Sequence, residues 1–311
     1  MNGTEVIKQV SSNIETAVIG KSEVIKLLLT AFIAGGHILI EDLPGVGKTT
    51  LANALAKSIN SGFTRIQFTP DTLPSDITGM TIYNMHTGTF EFSRGAVMNN
   101  IILADELNRT SPKTQASLLE AMEERQVTVD GKTYPLPAPF MVIATQNPVD
   151  YLGTYSLPEA QLDRFMMKLS IGYPDENAEN EMITKNIKGA AVKKLEAVTD
   201  GKAIEDIQKE VLEVEIHKDI VSLAVNIVNE TRRNPSLALG ASPRAAIALA
   251  KASQAWAYID GRNYVSPDDM LKVAPYVLTH RLIVSSEAKL NKQTAKKIIT
   301  DILSRIKLPE L

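Results

Sequence analysis

Hydrophobic positions in the first 175 residues follow two alternating periods. Helix-like spacing recurs in the segments 4–18, 21–34, 50–59 and 113–125. Short apolar runs typical of buried strands lie between them, at 37–41, 63–68, 100–104 and 140–145. This alternation predicts an α/β fold with a parallel sheet covered by helices on both faces. Functional residues are then expected at the carboxyl ends of the strands.

Two further segments have the pattern of β-hairpins. Residues 81–92 alternate around His86-Thr-Gly88, and residues 126–134 turn at Asp130-Gly131, a pair that favours two-residue turns. Neither hairpin is needed to complete the sheet, so we expect both to be inserts that project from it. The alternative is that both hairpins are surface inserts without a function.

After Tyr173-Pro174 the pattern becomes helical. Amphipathic segments occur at 204–212, 220–232, 243–258 and 267–276. Ser242-Pro243 and Ser266-Pro267 each provide an N-cap followed by a proline in the first turn. The sequence therefore predicts two domains, an α/β core at 1–174 and an all-α lid at 175–311.

Composition and charge narrow the classes of function. Apolar residues make up 44% and charged residues 22% of the 311 residues, as in globular proteins with a sizeable core. Cysteine is absent, which excludes a disulfide framework and a thiolate metal site. The 33 basic and 36 acidic residues give a net charge of -3, without the positive field that holds nucleic acid or anionic lipid.

The chain shows no pattern of a membrane or secreted protein. The uncharged, largely apolar run Leu27 to Ile40 has 14 residues, whereas a spanning helix needs about 18 or more. The start, MNGTEVIKQV, lacks a basic segment followed by an apolar one. We expect a cytoplasmic protein without direct membrane insertion.

A glycine loop follows the first predicted strand, in Asp42-Leu-Pro-Gly-Val-Gly-Lys-Thr49. Gly45 and Gly47 allow backbone N–H groups to turn toward phosphates, Lys48 supplies a cation, and Thr49 supplies a hydroxyl for Mg²⁺. Asp42 stands where the usual pattern has its first glycine. An ordinary strand-to-helix turn is the alternative, but the strand, loop and helix context favours nucleotide binding.

Polar residues end two later strands. Asp105-Glu106 follow the run 101–104, where one carboxylate can hold Mg²⁺ and the other can deprotonate the attacking water. Asn147 ends the next strand and could bind that water or the γ-phosphate. The alternative for Asp105-Glu106 is a solvated strand end without a function. The alternative for Asn147 is a simple Asn-Pro turn.

These motifs resemble those of the AAA+ ATPases. Pro44–Thr49 looks like a Walker A motif, Ile101–Glu106 like a Walker B motif, and Asn147 like sensor 1. The strings LADELNRTSPKTQASLLEAMEERQV, ATQNPVDYLGTYSLPEAQLDRF and GASPRA are similar to the MoxR family within that superfamily. In that family Glu-Asp before Pro-Gly is usual, which accounts for Asp42.

The resemblance implies binding of ATP and Mg²⁺ and assigns further residues. Arg164 matches the arginine finger that reaches a neighbouring subunit, and Arg244 matches sensor 2, expected to point toward the nucleotide. Arg109 could relay between Glu106 and a neighbour or form a structural salt bridge. The implied nucleotide contacts are Val18, Ile19, Gly20, Pro44, Gly45, Val46, Gly47, Lys48, Thr49 and Thr50, with Thr49 and Asp105 at the metal.

The resemblance also implies a mode of action. MoxR-type ATPases would form a ring, here a hexamer, which hydrolyses ATP to ADP and phosphate to remodel, activate or mature protein clients, with von Willebrand factor A domain proteins as adaptors. The hairpins at 81–92 and 126–134 look like the helix-2 insert and the pre-sensor-1 hairpin, which line a central pore. Two alternatives are a DNA-dependent motor or loader, disfavoured by the charge, and a nucleotide-gated scaffold with little turnover.

Overall fold

The computed structural model describes residues 2–147, 154–187 and 195–309. Residues 148–153, which belong to the second string quoted above, lie outside these ranges. The strands are β1 (Ile38–Glu41), β2 (Phe63–Gln67), β3 (Gly79–Asn84), β4 (Thr89–Arg94), β5 (Ile101–Asp105), β6 (Gln126–Val129), β7 (Lys132–Pro135), β8 (Met141–Gln146), β9 (Met167–Leu169), β10 (Leu237–Leu239) and β11 (Ile283–Val284).

The helices lie on both faces of the sheet and continue after it. They are α1 (Gly3–Ala17), α2 (Ser22–Ile33), α3 (Lys48–Ser58), α4 (Pro74–Thr78), α5 (Pro112–Glu124), α6 (Glu159–Leu162), α7 (Glu176–Ile187), α8 (Gly201–Leu212), α9 (Lys218–Arg233), α10 (Pro243–Ile259), α11 (Pro267–Leu278), α12 (Ser286–Leu290) and α13 (Ala295–Arg305). None of the helices in the described ranges is both long and apolar enough to cross a membrane.

The central sheet is parallel, with five strands in the order β2-β5-β8-β1-β9. Its alternate residues enter two different cores, because successive side chains of a strand point to opposite faces. Ile38 and Ile40 join the core that α1, α2 and α3 cover, whereas Leu39 joins the core under α5. The predicted α/β class with helices on both faces is confirmed.

The lid is helical, with one short ribbon that the sequence did not predict. In the ribbon, β10 and β11 pair antiparallel. The predicted N-caps are present, since the hydroxyl of Ser242 accepts a hydrogen bond from the N–H of Ala245, and Ser266 forms a capping box with Asp269. Helices α8 and α10 also pack on α1 and α2. The division near residue 174 therefore stays a prediction, because the two parts share a core.

Both predicted hairpins form outside the central sheet. β3 pairs with β4, and β6 pairs with β7, each as a separate antiparallel ribbon. Asp130 and Gly131 both have positive φ, 49° and 76°, as a two-residue turn of this hand requires. The two hairpins contact each other at their bases, where the rings of Phe92 and Tyr134 stack at 4.0 Å. They therefore form one projecting unit.

Candidate functional site

A cavity of about 350 Å³ lies at the carboxyl edge of the central sheet. Most of the residues that the sequence assigned to phosphate and metal binding meet there. The lining residues are Pro44, Gly45, Gly47, Lys48, Thr49, Thr50, Arg65, Gln67, Asp105, Glu106 and Asn147. Val46 is instead partly buried against the core. The loop after β1 and the ends of β2, β5 and β8 thus form one concave polar site.

Two glycines give the loop its shape. Gly45 has φ +87° and Gly47 has φ +92°, in the left-handed region that side chains with a Cβ rarely adopt. Gly47 directly precedes the first residue of α3, so the loop delivers the N-terminus of this helix to the cavity. Helix N-termini favour anions because their first N–H groups are unpaired and the helix dipole is positive there.

Lys48 lies folded onto this loop. Its Nζ donates to the carbonyl of Asp42 at 2.7 Å. Burial lowers the pKa of Lys48 below its usual value, while the carboxylates of Asp105, Asp42 and Glu106 act in the opposite direction. A bound phosphate would add negative charge beside the ammonium and so favour its charged form.

Asp42, the departure from the usual glycine pattern, has a structural role. Its buried carboxylate accepts hydrogen bonds from the hydroxyl of Ser170 at 2.8 Å and from the N–H groups of Ile171 and Gly172. These three residues follow β9 directly. Asp42 therefore joins the start of the phosphate loop to the exit of the edge strand, a task that glycine could not perform.

The carboxylate of Asp105 is held from two sides. Thr145 Oγ1 donates to Asp105 Oδ1 at 2.7 Å, and Arg65 Nη2 lies 2.7 Å from Asp105 Oδ2. Thr145 belongs to the neighbouring strand β8 and is fully buried. Arg65 belongs to β2 on the other side and is half exposed. The carboxylate is therefore fixed in orientation at the rim of the cavity.

Glu106 has an unusual backbone conformation. Its φ of 57° and ψ of 48° lie in the left-handed region, which costs a residue with a Cβ about 1 kcal/mol or more and often marks a functional site. The Glu106 N–H donates to Thr145 Oγ1 at 2.8 Å. Its Oε2 accepts from Gln67 at 2.8 Å and from Arg109 at 2.9 Å. The contact with Arg109 is a salt bridge, which is one of the two roles that the sequence left open for this arginine.

The donor set at this edge fits a hard divalent cation. Thr49 supplies a hydroxyl and Asp105 a carboxylate in one cavity, and oxygen ligands of this kind are those that Mg²⁺ prefers. In the described ranges, His, Asp and Glu side chains form no group of three or more that could hold a metal ion by themselves.

Thr145→Val tests whether the Thr145 hydroxyl, which is hydrogen-bonded to both Asp105 and Glu106, contributes to Mg²⁺ binding. The change keeps the volume but removes the hydrogen bonds to Asp105 and Glu106, so the Mg²⁺ concentration for half-maximal ATPase activity should rise about 10- to 100-fold, as after loss of other partners of metal ligands. Thr145→Ser keeps the hydroxyl and serves as the control. An unchanged Mg²⁺ requirement in the valine variant would contradict this role.

A second polar cavity, of about 280 Å³, lies at the amino edge of the sheet. Arg164 and Arg244 both form salt bridges with Glu123 in this cavity. Arg164 Nε lies 3.2 Å from Glu123 Oε2, and Arg244 Nη2 lies 2.6 Å from Glu123 Oε1. Arg125, Lys251 and Arg281 also line this cavity. Its cations outnumber its acids, so it suits an anionic group.

The two cavities lie at opposite ends of β1. Gly35 and His37, just before β1, line the second cavity, whereas the phosphate loop after β1 lines the first. At about 3.3 Å per residue, β1 and its flanks separate them by roughly 15 Å. Arg244 was expected to point toward the nucleotide. It does not line the cavity of its own chain's phosphate loop but lies with Arg164 at the other edge, so its contact with a nucleotide stays a prediction.

A third cavity, of about 300 Å³, adjoins the phosphate loop on the other side. Gly20 lines it, together with Ser170, Ile171 and the ring of Tyr276. Ser170 and Ile171 are the residues tied to Asp42, so this cavity and the phosphate loop are neighbours. Val18 is buried in the core beside it and does not line it. Of Val18, Ile19 and Gly20, which the resemblance implied as nucleotide contacts, Gly20 is the one that lines this cavity.

Several residues of these sites were not found from the sequence. Arg65, Gln67 and Thr145 lie within the runs predicted as strands and Glu123 within a predicted helix, and the sequence assigned none of them a role. A polar residue at the carboxyl end of a strand is the signal that could have drawn attention to Gln67 and Thr145. For Glu123 the sequence carries no such signal, because its partners come from distant segments.

Comparison with known proteins gives consistent relatives over nearly the whole chain. Residues 37–167 match the family model described as ATPase family associated with various cellular activities (AAA), and residues 229–302 match the AAA lid domain. The Mycobacterium tuberculosis protein Chaperone MoxR1 is 36% identical over 96% of this chain and 81% of its own length. YeaC of Bacillus subtilis is 51% identical over 96% of this chain and 93% of its own.

A solved structure agrees with these relatives. A crystal structure from Cytophaga hutchinsonii, of a protein named only provisionally as an ATPase, superimposes with a TM-score of 0.92 at 40% identity. The superposition covers 99% of this chain and 96% of that one. The likeness therefore includes both the sheet core and the helical lid.

Proposed function

The chain belongs to the MoxR family of AAA+ ATPases, and on this premise we propose that it acts as a homo-oligomeric ring, a hexamer, that remodels protein clients. ATP bound with Mg²⁺ is hydrolysed to ADP and phosphate, and each nucleotide site is completed by the next subunit. One observation carries the proposal. Arg164 and Arg244 lie together at the sheet edge opposite to the phosphate loop of their own chain.

Within one subunit, the residues around the phosphate loop divide the work. Lys48 and the N-terminus of α3 would bind the phosphates, and Thr49 and Asp105 would hold Mg²⁺, which would supply positive charge against the phosphate oxygens. Glu106 takes a proton from the attacking water as a general base, since it is the carboxylate next to Asp105 at this rim. Asn147 positions this water or the γ-phosphate from the end of β8.

The same subunit supplies cations to its neighbour. A guanidinium fixed near the γ-phosphate stabilises the negative charge that develops during phosphoryl transfer. Arg164 and Arg244 are partly exposed, and their shared partner Glu123 is also a partly exposed anion. In the isolated chain Glu123 thus occupies the position that a neighbour's phosphate would take, and assembly exchanges one anion for the other.

Such an arrangement is heterologous, because two different surfaces of the subunit meet. Heterologous contacts close into a ring when the rotation between subunits permits it. Hydrolysis then depends on assembly, since a site without its neighbour lacks both arginines. The adenine ring is proposed to occupy the cavity lined by Gly20, Tyr276 and the segment after β9.

The projecting hairpins offer a surface for protein clients. Tyr83, Met85 and Phe90 on the first hairpin are exposed, with Met85 at 88% and Phe90 at 73%. Exposed apolar side chains grouped on one projection favour contact with another protein. We propose that both hairpins line the pore of the ring and grip the client there.

The chain's charge supports a protein rather than a nucleic acid as partner. Its net charge is -3, and neither hairpin is rich in Lys or Arg. The name of the relative Chaperone MoxR1 accords with a chaperone-like role. Proteins with von Willebrand factor A domains are the proposed adaptors, and any metal inserted into a client would be cargo.

Client capture tests the remodelling step. A Glu106→Gln ring should hold ATP without hydrolysis, so the proteins retained on it, including adaptors with von Willebrand factor A domains, should depend on ATP. Lys48→Ala, expected to lose phosphate binding, is the matched control and should retain none. Identical retention by the two variants would contradict the proposal. Stimulation of the ATPase by DNA, lost at high salt, would favour the DNA motor instead.

A further inference from the structure

A buried polar cluster lies directly beneath Arg164. The guanidinium of Arg281 is almost fully buried and pairs with the carboxylate of Asp163, with Nε 2.8 Å from Oδ1. Its Nη2 also donates to the carbonyls of Asp163 at 3.1 Å and Phe165 at 2.8 Å. Arg281 thus contacts the residues immediately before and after Arg164. The loop that carries Arg164, the proposed arginine finger, is therefore anchored by the buried side chain of Arg281.

The same carboxylate is joined to the segment that carries Arg244. The hydroxyl of Ser242 donates to Asp163 Oδ2 at 2.9 Å, and Ser242 is the N-cap of α10. Arg244 lies in the first turn of this helix. Asp163 therefore uses one oxygen for Arg281 and the other for Ser242. A single residue connects the loop of Arg164 with the start of the helix of Arg244.

Burial makes this ion pair costly, and the hydrogen bonds of the other guanidinium N–H groups offset part of that cost. Desolvation lowers the pKa of Arg281 to about 10, opposed by the nearby Asp163 carboxylate, so the guanidinium stays charged at neutral pH. Nη1 of Arg281 also donates to the carbonyl of Val277 at 3.0 Å. The rigid fork of Arg can serve several acceptors at once, which a lysine ammonium cannot do with the same geometry.

We propose that Asp163 and Arg281 are positioning residues that fix Arg164 and Arg244 relative to each other, so that both guanidiniums reach one phosphate group of the neighbouring subunit. The inference rests on the proposed action of Arg164 in a neighbour's site. His280 supports the same loop, because its Nε2 donates to the carbonyl of Phe165 at 2.9 Å. The pair of Asp163 and Arg281, called the brace below, joins the core to the lid at the amino edge of the sheet, away from the chain's own phosphate loop.

Arg281→Lys is the variant that tests the brace, because it keeps the charge and loses the fork. A misplacement of about 1 Å at a reacting group can lower a rate as much as 10²-fold, so kcat for ATP should fall about tenfold. KM for ATP should change much less than kcat, because the arginines stabilise charge that develops in the transition state rather than the bound ground state. Asp163→Asn should lower kcat in the same way if the lysine variant is unstable.

The matched control is Arg262→Lys. Arg262 also forms a fork with a buried aspartate of the lid, with both its Nη atoms 2.6 Å from the carboxylate of Asp269. This pair is not joined to Arg164. The control should lower the melting temperature without lowering kcat. A loss of kcat in Arg281→Lys no larger than that in Arg262→Lys would overturn the inference.

A combined variant separates positioning from general structure. In a background with both Arg164→Ala and Arg244→Ala, Arg281→Lys should cause no further loss of kcat, because both guanidiniums that it positions are already gone. An independent, additive loss would overturn the brace. If Arg164→Ala alone leaves kcat unchanged, the proposed function itself fails. If Arg164→Ala lowers kcat but neither Arg281→Lys nor Asp163→Asn does, the brace alone fails.

Discussion

A Glu106→Gln variant is expected to bind ATP with near-normal affinity and to hydrolyse it about 10²- to 10⁴-fold more slowly than the wild type, the usual loss when a general base is removed. Glutamine keeps the size of the side chain and an oxygen that can accept from Gln67 and Arg109. The strained backbone and the hydrogen bond to Thr145 are also unaffected. The change therefore removes the base with little effect on the cavity.

Two measurements check this result. Phosphate release gives the turnover, and titration with a fluorescent ATP analogue gives the affinity. Glu124→Gln, on the exposed side of α5, removes the same charge away from the cavity and should leave both quantities unchanged. A turnover within twofold of wild type would mean that another group activates the water. A wild-type turnover as low as that of Glu106→Gln would instead support the nucleotide-gated scaffold.

The phosphate loop could be predicted from the sequence because its determinants are local. Strand, turn and helix follow one another within about 20 residues, and the glycines at 45 and 47 have the positive φ that the pattern requires. Asp105 and Glu106 were predictable for the same reason, as acids directly after a buried run. The central sheet and its covering helices followed from hydrophobic periodicity.

The surroundings of the acids could not be predicted, because they depend on which strands are neighbours. The order β2-β5-β8 places Gln67 opposite Asp105 and brings Thr145 beside both acids. No local pattern encodes that order. The left-handed backbone of Glu106 is likewise imposed by tertiary contacts, since the residue type does not favour it.

The arginine cavity depends most on long-range packing. Glu123, Arg164, Arg244 and Arg281 come from four segments, separated by up to about 160 residues, and line one cavity to which the core and the lid both contribute. Resemblance suggested roles for Arg164 and Arg244 but not which chain's nucleotide Arg244 faces. That depends on the position of the lid, which helix periodicity does not determine.

Arg164→Ala subunits mixed with Glu106→Gln subunits should regain activity that neither has alone. Loss of an arginine finger lowers turnover about 10³- to 10⁵-fold, so each parent is nearly inactive. In a random ring made from equal amounts, about a quarter of the sites combine an intact Glu106 with an intact Arg164 from the neighbour, if contacts are heterologous. Phosphate release should therefore recover to about a quarter of the wild-type rate per subunit. Rings are verified as mixed by a different affinity tag on each parent, and the double variant mixed with wild type provides the dilution control. If the arginine acted within its own chain, no verified mixture would recover, because every subunit lacks one of the two groups.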